Sequence, residues 1–274
     1  MTQTFNDIFR KSSKTYFYSS ILFPKEIQHK VSRLYAFVRV ADDYVDSIPQ
    51  NLLAYSLFKQ CYFGEVAEAA SEQDTQIIKS FKALEFEVNF DPAWTKAFFD
   101  SMDMDLGLKI YKTISDTEDY IYGSAAVIGL FMAQILDLKT ESYFAAENLG
   151  KAFQYINFIR DIAEDITLNR NYFPTQEMQK FGLDTLDESE VKIKASEFED
   201  FINSQLQYYY KWQTLAESGF KFIPKRYRIA VQTASDMYKW TAKAIEKDPF
   251  IVFKKKVKPT KSQVLLTGIR NILG

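Results

Sequence analysis

The sequence predicts an all-α protein, and three observations carry that prediction. Apolar residues recur at helical spacing along most of the chain, and alternating strand-like runs are scarce. The seven prolines, at positions 24, 49, 92, 174, 224, 249 and 259, fall at the edges of the periodic segments, where a missing N–H costs little. Glycine is sparse, at nine residues, so few interior breaks are expected. No linker, low-complexity tract or fixed-period repeat divides the chain, and residues 1–274 are expected to form a single domain.

Helices are expected at 2–22, 25–46, 51–70, 72–89, 92–112, 116–137, 141–166, 188–217, 225–247 and 261–272. In the first, hydroxyls alternate with aromatics from Ser12 to Pro24; this is either an ordinary amphipathic helix or a source of donors, Ser13 and Lys14, for an anion. In the second, Ile27, Val31, Leu34, Tyr35 and Val38 keep helical spacing while Arg33 and Arg39 interrupt it. Glu26 and His29 match a Glu-x-x-His pattern, but a di-iron bundle needs two such motifs and His29 is the single histidine, so it is assigned to the surface. Asp91-Pro92 reads as an N-cap followed by an N1 proline. The uncharged run from Tyr120 to Leu136, with Gly123, Ser124 and Gly129, reads as a buried helix whose small residues permit either close packing or a ligand pocket. Residues 184–200 are acidic and expected to be exposed. Residues 254–261 are basic: a solvated loop, a lid over an anion, or a segment drawn to anionic lipid.

Composition narrows the function. A hydrophobic content of 47% suffices for a sizeable core. The net charge of −2 disfavours nucleic-acid binding. A single cysteine, Cys61, excludes an internal disulfide framework and fits a reducing cytoplasm. The N-terminus lacks the pattern of a signal peptide, and no uncharged run reaches the length of a membrane span. The 24 Phe, 17 Tyr and 3 Trp are expected to fill a bulky core, with a minority lining a long apolar pocket.

Two stretches carry chemistry. In Arg39-Val-Ala-Asp42-Asp43-Tyr-Val-Asp46, Asp42 and Asp46 share a helix face, with Cβ atoms roughly 5–6 Å apart. Bare, those carboxylates repel; a divalent cation removes the conflict. Asn157-Phe-Ile-Arg160-Asp161-Ile-Ala-Glu164-Asp165 repeats the spacing, again with an arginine before the acids. Gln154, Asn157, Asp161 and Asp165 form one polar stripe beside Tyr155, Ile156, Phe158, Ile159 and Ile162, a costly arrangement to bury unless it binds something. Two acidic faces, each with an arginine, suggest Mg²⁺ ions bridging to a diphosphate.

These residues, with Tyr35-Ala-Phe-Val before the first motif and Arg170-Asn-Tyr172-Phe-Pro174 after the second, resemble the squalene/phytoene synthase family. The resemblance spans most of the chain, from about Ser12 to the basic segment near Lys258. It implies a class I isoprenoid synthase helical bundle with a central apolar pocket, and head-to-head condensation of two identical allylic diphosphates. It implies Mg²⁺, with Mn²⁺ as a substitute, on Asp42, Asp46, Asn157, Asp161 and Asp165. It implies catalytic roles for those four aspartates with Arg39, Arg160, Tyr35 and Tyr172. Substrate contacts are implied for Ser13, Tyr16, Arg39, Tyr120, Gln154, Asn157, Arg160 and Tyr238. Two departures stand out: Asp248-Pro249-Phe250-Ile251 replaces the family's Arg-Val pair, and Ala163 replaces a common Gly.

Ser20 and Ser32 are small residues among bulky ones and favour a deep pocket. The expected product is therefore phytoene, from two geranylgeranyl diphosphates through a cyclopropyl diphosphate. Dehydrosqualene or squalene from two farnesyl diphosphates is the alternative, with NADPH required for squalene alone. A terpene cyclase is disfavoured by the second motif, and a non-catalytic scaffold by the retained acids. The expected setting is cytoplasmic, with peripheral membrane contact for release of an apolar product. The sequence sets no oligomeric state.

Overall fold

The computed structural model describes residues 5, 7–10, 14–107 and 110–273. Among them there is no strand. The helices are α1 (Lys14–Ser20), α2 (Lys25–Asp46), α3 (Leu52–Phe63), α4 (Glu72–Val88), α5 (Pro92–Met104), α6 (Ile114–Ile121), α7 (Val127–Ile135), α8 (Tyr143–Thr167), α9 (Thr175–Lys180), α10 (Glu188–Ile193), α11 (Ala195–Glu217), α12 (Lys225–Lys247), α13 (Ile251–Lys254) and α14 (Lys261–Leu273). A π-helical turn, Tyr122–Ala126, joins α6 to α7.

Local chemistry sets many of the ends. Asn51 caps α3, Ser71 caps α4 and Asp91 caps α5, each through its side chain, and Pro92 opens α5 as expected. Thr113 and Asp116 form a capping box at α6. Gly64, at φ +80°, stops α3 at Phe63, well short of the expected residue 70. The helix expected to run to residue 112 ends at Met104, because the chain turns at Asp105 and buries that side chain. The helix expected over 188–217 is split at Lys194, whose ammonium bonds the Gly182 carbonyl and Glu190. The short helices α9 and α13 lie outside every expected segment.

Helix α8 is the axis of the bundle, packing against α11, α7, α6, α12 and α13. Two apolar clusters flank it. One is built on α2, α3, α4 and α5, where the Phe37 and Phe81 rings stack at 3.8 Å. The other joins α8 to α11 through Tyr155, Ile159, Phe201 and Tyr209. Stacked and edge-on aromatic pairs recur through both, which is where most of the aromatic residues are used.

The expected buried run from Tyr120 to Leu136 is α6, the π-turn and α7, and two of its glycines are places of close approach. A methyl group at Gly123 would lie 2.1 Å from the Ala97 carbonyl oxygen, and one at Gly129 would lie 2.1 Å from that of Ala146. Gly150 of α8 sits as tightly on Ala125, at 2.2 Å. Main chain therefore meets main chain along the contacts of this segment with α5 and α8. His29 is exposed, as expected.

Candidate active site

One face of α2 and one face of α8 open onto a shared cavity of about 340 Å³. From α2 come Val31, Leu34, Tyr35, Val38, Arg39 and Asp42; from α8 come Ala145, Ala146, Leu149, Gly150, Phe153, Gln154 and Asn157. The alternating steps of three and one residues are those of a single helix face. On both helices the stripe is apolar at its N-terminal end and polar at its C-terminal end. Asp46 is the last residue of α2, and Asp165 lies in the last turn of α8. Both helix dipoles thus direct their negative ends toward the acids and deepen the local negative potential.

The arginines preceding each motif are engaged with the acids that follow. Arg39 donates to Asp42 at 2.6 Å and lies 2.5 Å from Asp43. Arg160 grips Asp161 through Nε at 2.9 Å and Nη2 at 2.5 Å. Burial and the adjacent Asp46 push the Asp42 carboxyl up to about 8, against the pull of Arg39. Burial and Asp161 likewise push Asp165 well up, with Asp46 contributing, so the two motifs share one electrostatic site. Asp161 goes the other way. Burial would raise it, but the Arg160 fork outweighs burial, helped by Lys256 and Lys258.

Among the described residues, no three acidic, histidine or cysteine side chains already converge as a metal-ligating cluster. The donor set nevertheless suits a hard divalent cation, being entirely oxygen. Asn157 Oδ1 is buried with no hydrogen-bond partner among the described residues, an acceptor left for a ligand. Arg39 Nε is likewise a buried donor without a partner, on the same cavity.

The aromatic residues fall into two groups. Tyr16 and Tyr35 line the cavity. Tyr238 stacks on Phe153 at 4.2 Å, and its hydroxyl is paired with that of Tyr16. Tyr120 also lines the cavity, and its hydroxyl donates to Asp105 at 2.6 Å. Tyr172 is buried behind it, stacked on Phe158 at 4.3 Å and donating to the same carboxylate at 2.9 Å. Gln154 lies on the cavity wall, and Ser13 lies outside the described residues, as does the side chain of Lys14. Ser20 faces the cavity, whereas Ser32, buried and bonded to the His29 carbonyl, does not.

Two site residues escaped the sequence reading, and a third lies in the basic run expected to act as a lid over an anion. Asp105 is 7% exposed and anchors Tyr120 and Tyr172; burial raises it to about 6, opposed by Arg170 and the two phenols. It is a lone acid with no repeat or flanking pattern, so nothing in the sequence marks it. Arg170 binds Asp46 and the Val45 carbonyl oxygen, the latter at 2.7 Å. It stands in the run after the second motif, a signal that could have found it. Lys256 reaches Asp161 at 3.4 Å and pairs with Glu164, so part of the basic segment covers the second motif.

Paired acid-rich helix ends over a long apolar cavity, in an all-α bundle, define a helical isoprenoid synthase fold. Solved structures agree. This chain matches squalene synthase HpnC from Alicyclobacillus acidocaldarius with a TM-score of 0.75 and 20% identity, over 91% of this chain and 94% of that one. It matches a dehydrosqualene synthase in complex with ligand with a TM-score of 0.77 and 20% identity, over 99% and 95% of the two chains. The squalene/phytoene synthase family profile covers residues 9–263, and the chain belongs to that family, whose members are prenyltransferases that join prenyl diphosphates head to head. Similar curated relatives include a 4,4'-diapophytoene synthase of Staphylococcus haemolyticus, 23% identical over 85% of this chain and 83% of the relative. A 15-cis-phytoene synthase of Pantoea ananas is 27% identical over 83% of this chain and 76% of the relative. No helix among the described residues is long and apolar enough to cross a membrane.

Proposed function

We propose that this protein condenses two geranylgeranyl diphosphates head to head into phytoene, through a cyclopropyl diphosphate, with release of two diphosphates. The observation that carries the chain length is the extent of the cavity along α8. Its wall includes both Ser142, which precedes the helix, and Asn157. Fifteen residues of helix correspond to about 22 Å, a depth suited to the longer prenyl chain. Small residues at the apolar end, among them Ser20, Gly129, Ala145, Ala146 and Gly219, keep that depth open.

The acids and arginines divide the work. Asp42, Asp46, Asn157, Asp161 and Asp165 would hold Mg²⁺, or Mn²⁺ in its place, which supplies Lewis-acid stabilisation of the leaving diphosphate. Arg39 adds positive charge on the cavity wall, and Arg160 and Lys256 add it beside the second motif, in a separate pocket with Asp161 and Glu164. Tyr16, Tyr35 and Tyr120 line the cavity, where aromatic rings would shield an allylic cation from water. Tyr172 positions Tyr120 by stacking and through the shared Asp105, and Tyr238, Gln154 and Ser13 complete the substrate contacts. Proton loss ends the sequence without NADPH.

The test is incubation of the purified protein with Mg²⁺ and labelled geranylgeranyl or farnesyl diphosphate, with and without NADPH, followed by product chromatography. Phytoene without NADPH is expected, and Asp42→Ala or Asp161→Ala should abolish it. Product from farnesyl diphosphate alone would transfer the assignment to dehydrosqualene, or to squalene if NADPH is required.

A further inference from the structure

Helix α14 shows an apolar face that no described residue covers. Leu266 is 65% exposed, Ile269 53% and Leu273 82%, with Leu265 and Ile272 beside them. At 100° per residue these five side chains occupy an arc of about 120°. The opposite face is the packed one. Val264 and Gly268 are buried, a methyl at Gly268 would come within 3.0 Å of Leu22, and Asn271 donates to Asp236 and Thr233. Exposed Ile21, beside Leu22 at the end of α1, belongs to the same side of the molecule.

The charge carried by this segment is one-sided, although Arg270 also pairs with Asp236 of α12 at 3.6 Å. From residue 251 onward the chain has no Asp or Glu, while Lys254, Lys255, Lys256, Lys258, Lys261 and Arg270 are basic. All the acids of this net-negative protein therefore lie before the segment. On the helix itself, Lys261 and Arg270 stand on either side of the apolar arc. A second globular protein could satisfy the apolar face alone. An exposed apolar arc flanked by cations, in a segment without a single acid, matches an anionic bilayer interface more closely.

We propose that α14 docks the protein onto anionic lipid, with Leu265, Leu266, Ile269, Ile272 and Leu273 entering the acyl boundary and the flanking basic residues meeting the headgroups. Helix α14 packs directly on α1 and α12, both of which wall the cavity through Ser19, Ser20, Ala230 and Ala234. The docked face thus lies one helix layer from the apolar chamber. The inference does not depend on which prenyl chain is used, because binding is read without turnover.

The experiment is sedimentation of the full chain with vesicles of phosphatidylcholine alone and of phosphatidylcholine mixed with phosphatidylglycerol. Salt-sensitive binding to the mixed vesicles is expected, weakened about tenfold or more by Leu266→Asp with Leu273→Asp, and also by Lys261→Gln with Arg270→Gln. Leu266→Cys carrying an environment-sensitive fluorophore should shift to the blue on the mixed vesicles; Cys61 is buried and escapes labelling. A wild-type chain that stays in the supernatant at low salt would overturn the proposal. So would an unshifted label, or variants that sediment like the wild type. Concentration-dependent self-association abolished by Leu266→Asp would assign the face to a second copy instead.

Discussion

The guanidinium of Arg170 is bound to the carboxylate of Asp46, joining residues 124 positions apart in the chain. The same guanidinium holds the Val45 carbonyl oxygen at 2.7 Å, so it fixes the last turn of α2 as well as its terminal acid. Arg170→Lys keeps the charge but loses the planar fork that makes both contacts. Turnover should fall about 100-fold from misplacement of Asp46. Urea unfolding should show a loss of about 2 kcal/mol, moderated because Asp46 is partly solvated. Turnover within a few-fold of wild type would mean that Asp46 needs no such clasp.

Asp105 makes a pH prediction. Its folded-state carboxyl is raised from 3.8 to about 6, chiefly by burial. The native state therefore binds the extra proton within that window. The destabilisation is fully present above about 6 and is relieved as pH falls toward 3.8. Asp105→Asn cannot titrate. The stability of the wild type relative to the variant should rise on acidification through that window, by up to about 3 kcal/mol. Parallel urea unfolding of both proteins in chelator, at neutral pH and at about pH 4, would measure it. A constant difference would show that Asp105 is not held protonated by the fold.

Ser20 and Ser32 looked alike in sequence and should now behave differently. Ser20 faces the cavity, so Ser20→Phe should lower kcat/KM for geranylgeranyl diphosphate about tenfold or more relative to farnesyl diphosphate. Ser32 is 1% exposed and off the cavity wall, so Ser32→Phe should cost about 2 kcal/mol of stability through overpacking. Competition assays with both substrates, alongside thermal melts, separate the two effects. Altered selectivity from Ser32→Phe without lost stability would contradict the assignment.

What the sequence made legible is what repeats. Asp42 and Asp46, and Asp161 and Asp165, share a spacing, and their helices α2 and α8 were anticipated to within a residue or two at each end. The Asp91-Pro92 start of α5 was equally plain. Asp105 was invisible because its importance comes from contacts with Tyr120 and Tyr172, which are distant in sequence. Ser32 misled because one residue along a helix is a turn of 100°, enough to leave the cavity face on which Val31 lies. The early end of α3 rested on a left-handed Gly64 that the hydrophobic pattern did not reveal.

Gly129 gives a stability prediction without chemistry. A methyl there would sit 2.1 Å from the Ala146 carbonyl oxygen, a main-chain atom with no rotamer to escape into. Gly129→Ala should cost about 3 kcal/mol, read by denaturant midpoint at unchanged slope. Gly107→Ala is the control, since nothing lies within 4 Å of a methyl at that position.

The close approach of α7 to α8 at Gly129, and of the π-turn to α8 at Gly150, also bears on how this chamber can diverge. Where backbones touch, the bore cannot be narrowed or widened by exchanging one side chain for another. Its length is under no such restraint, because side chains such as Ser20 act as movable stops along it. Natural variation in such a scaffold should therefore adjust the reach of the chamber one stop at a time while its calibre is inherited unchanged.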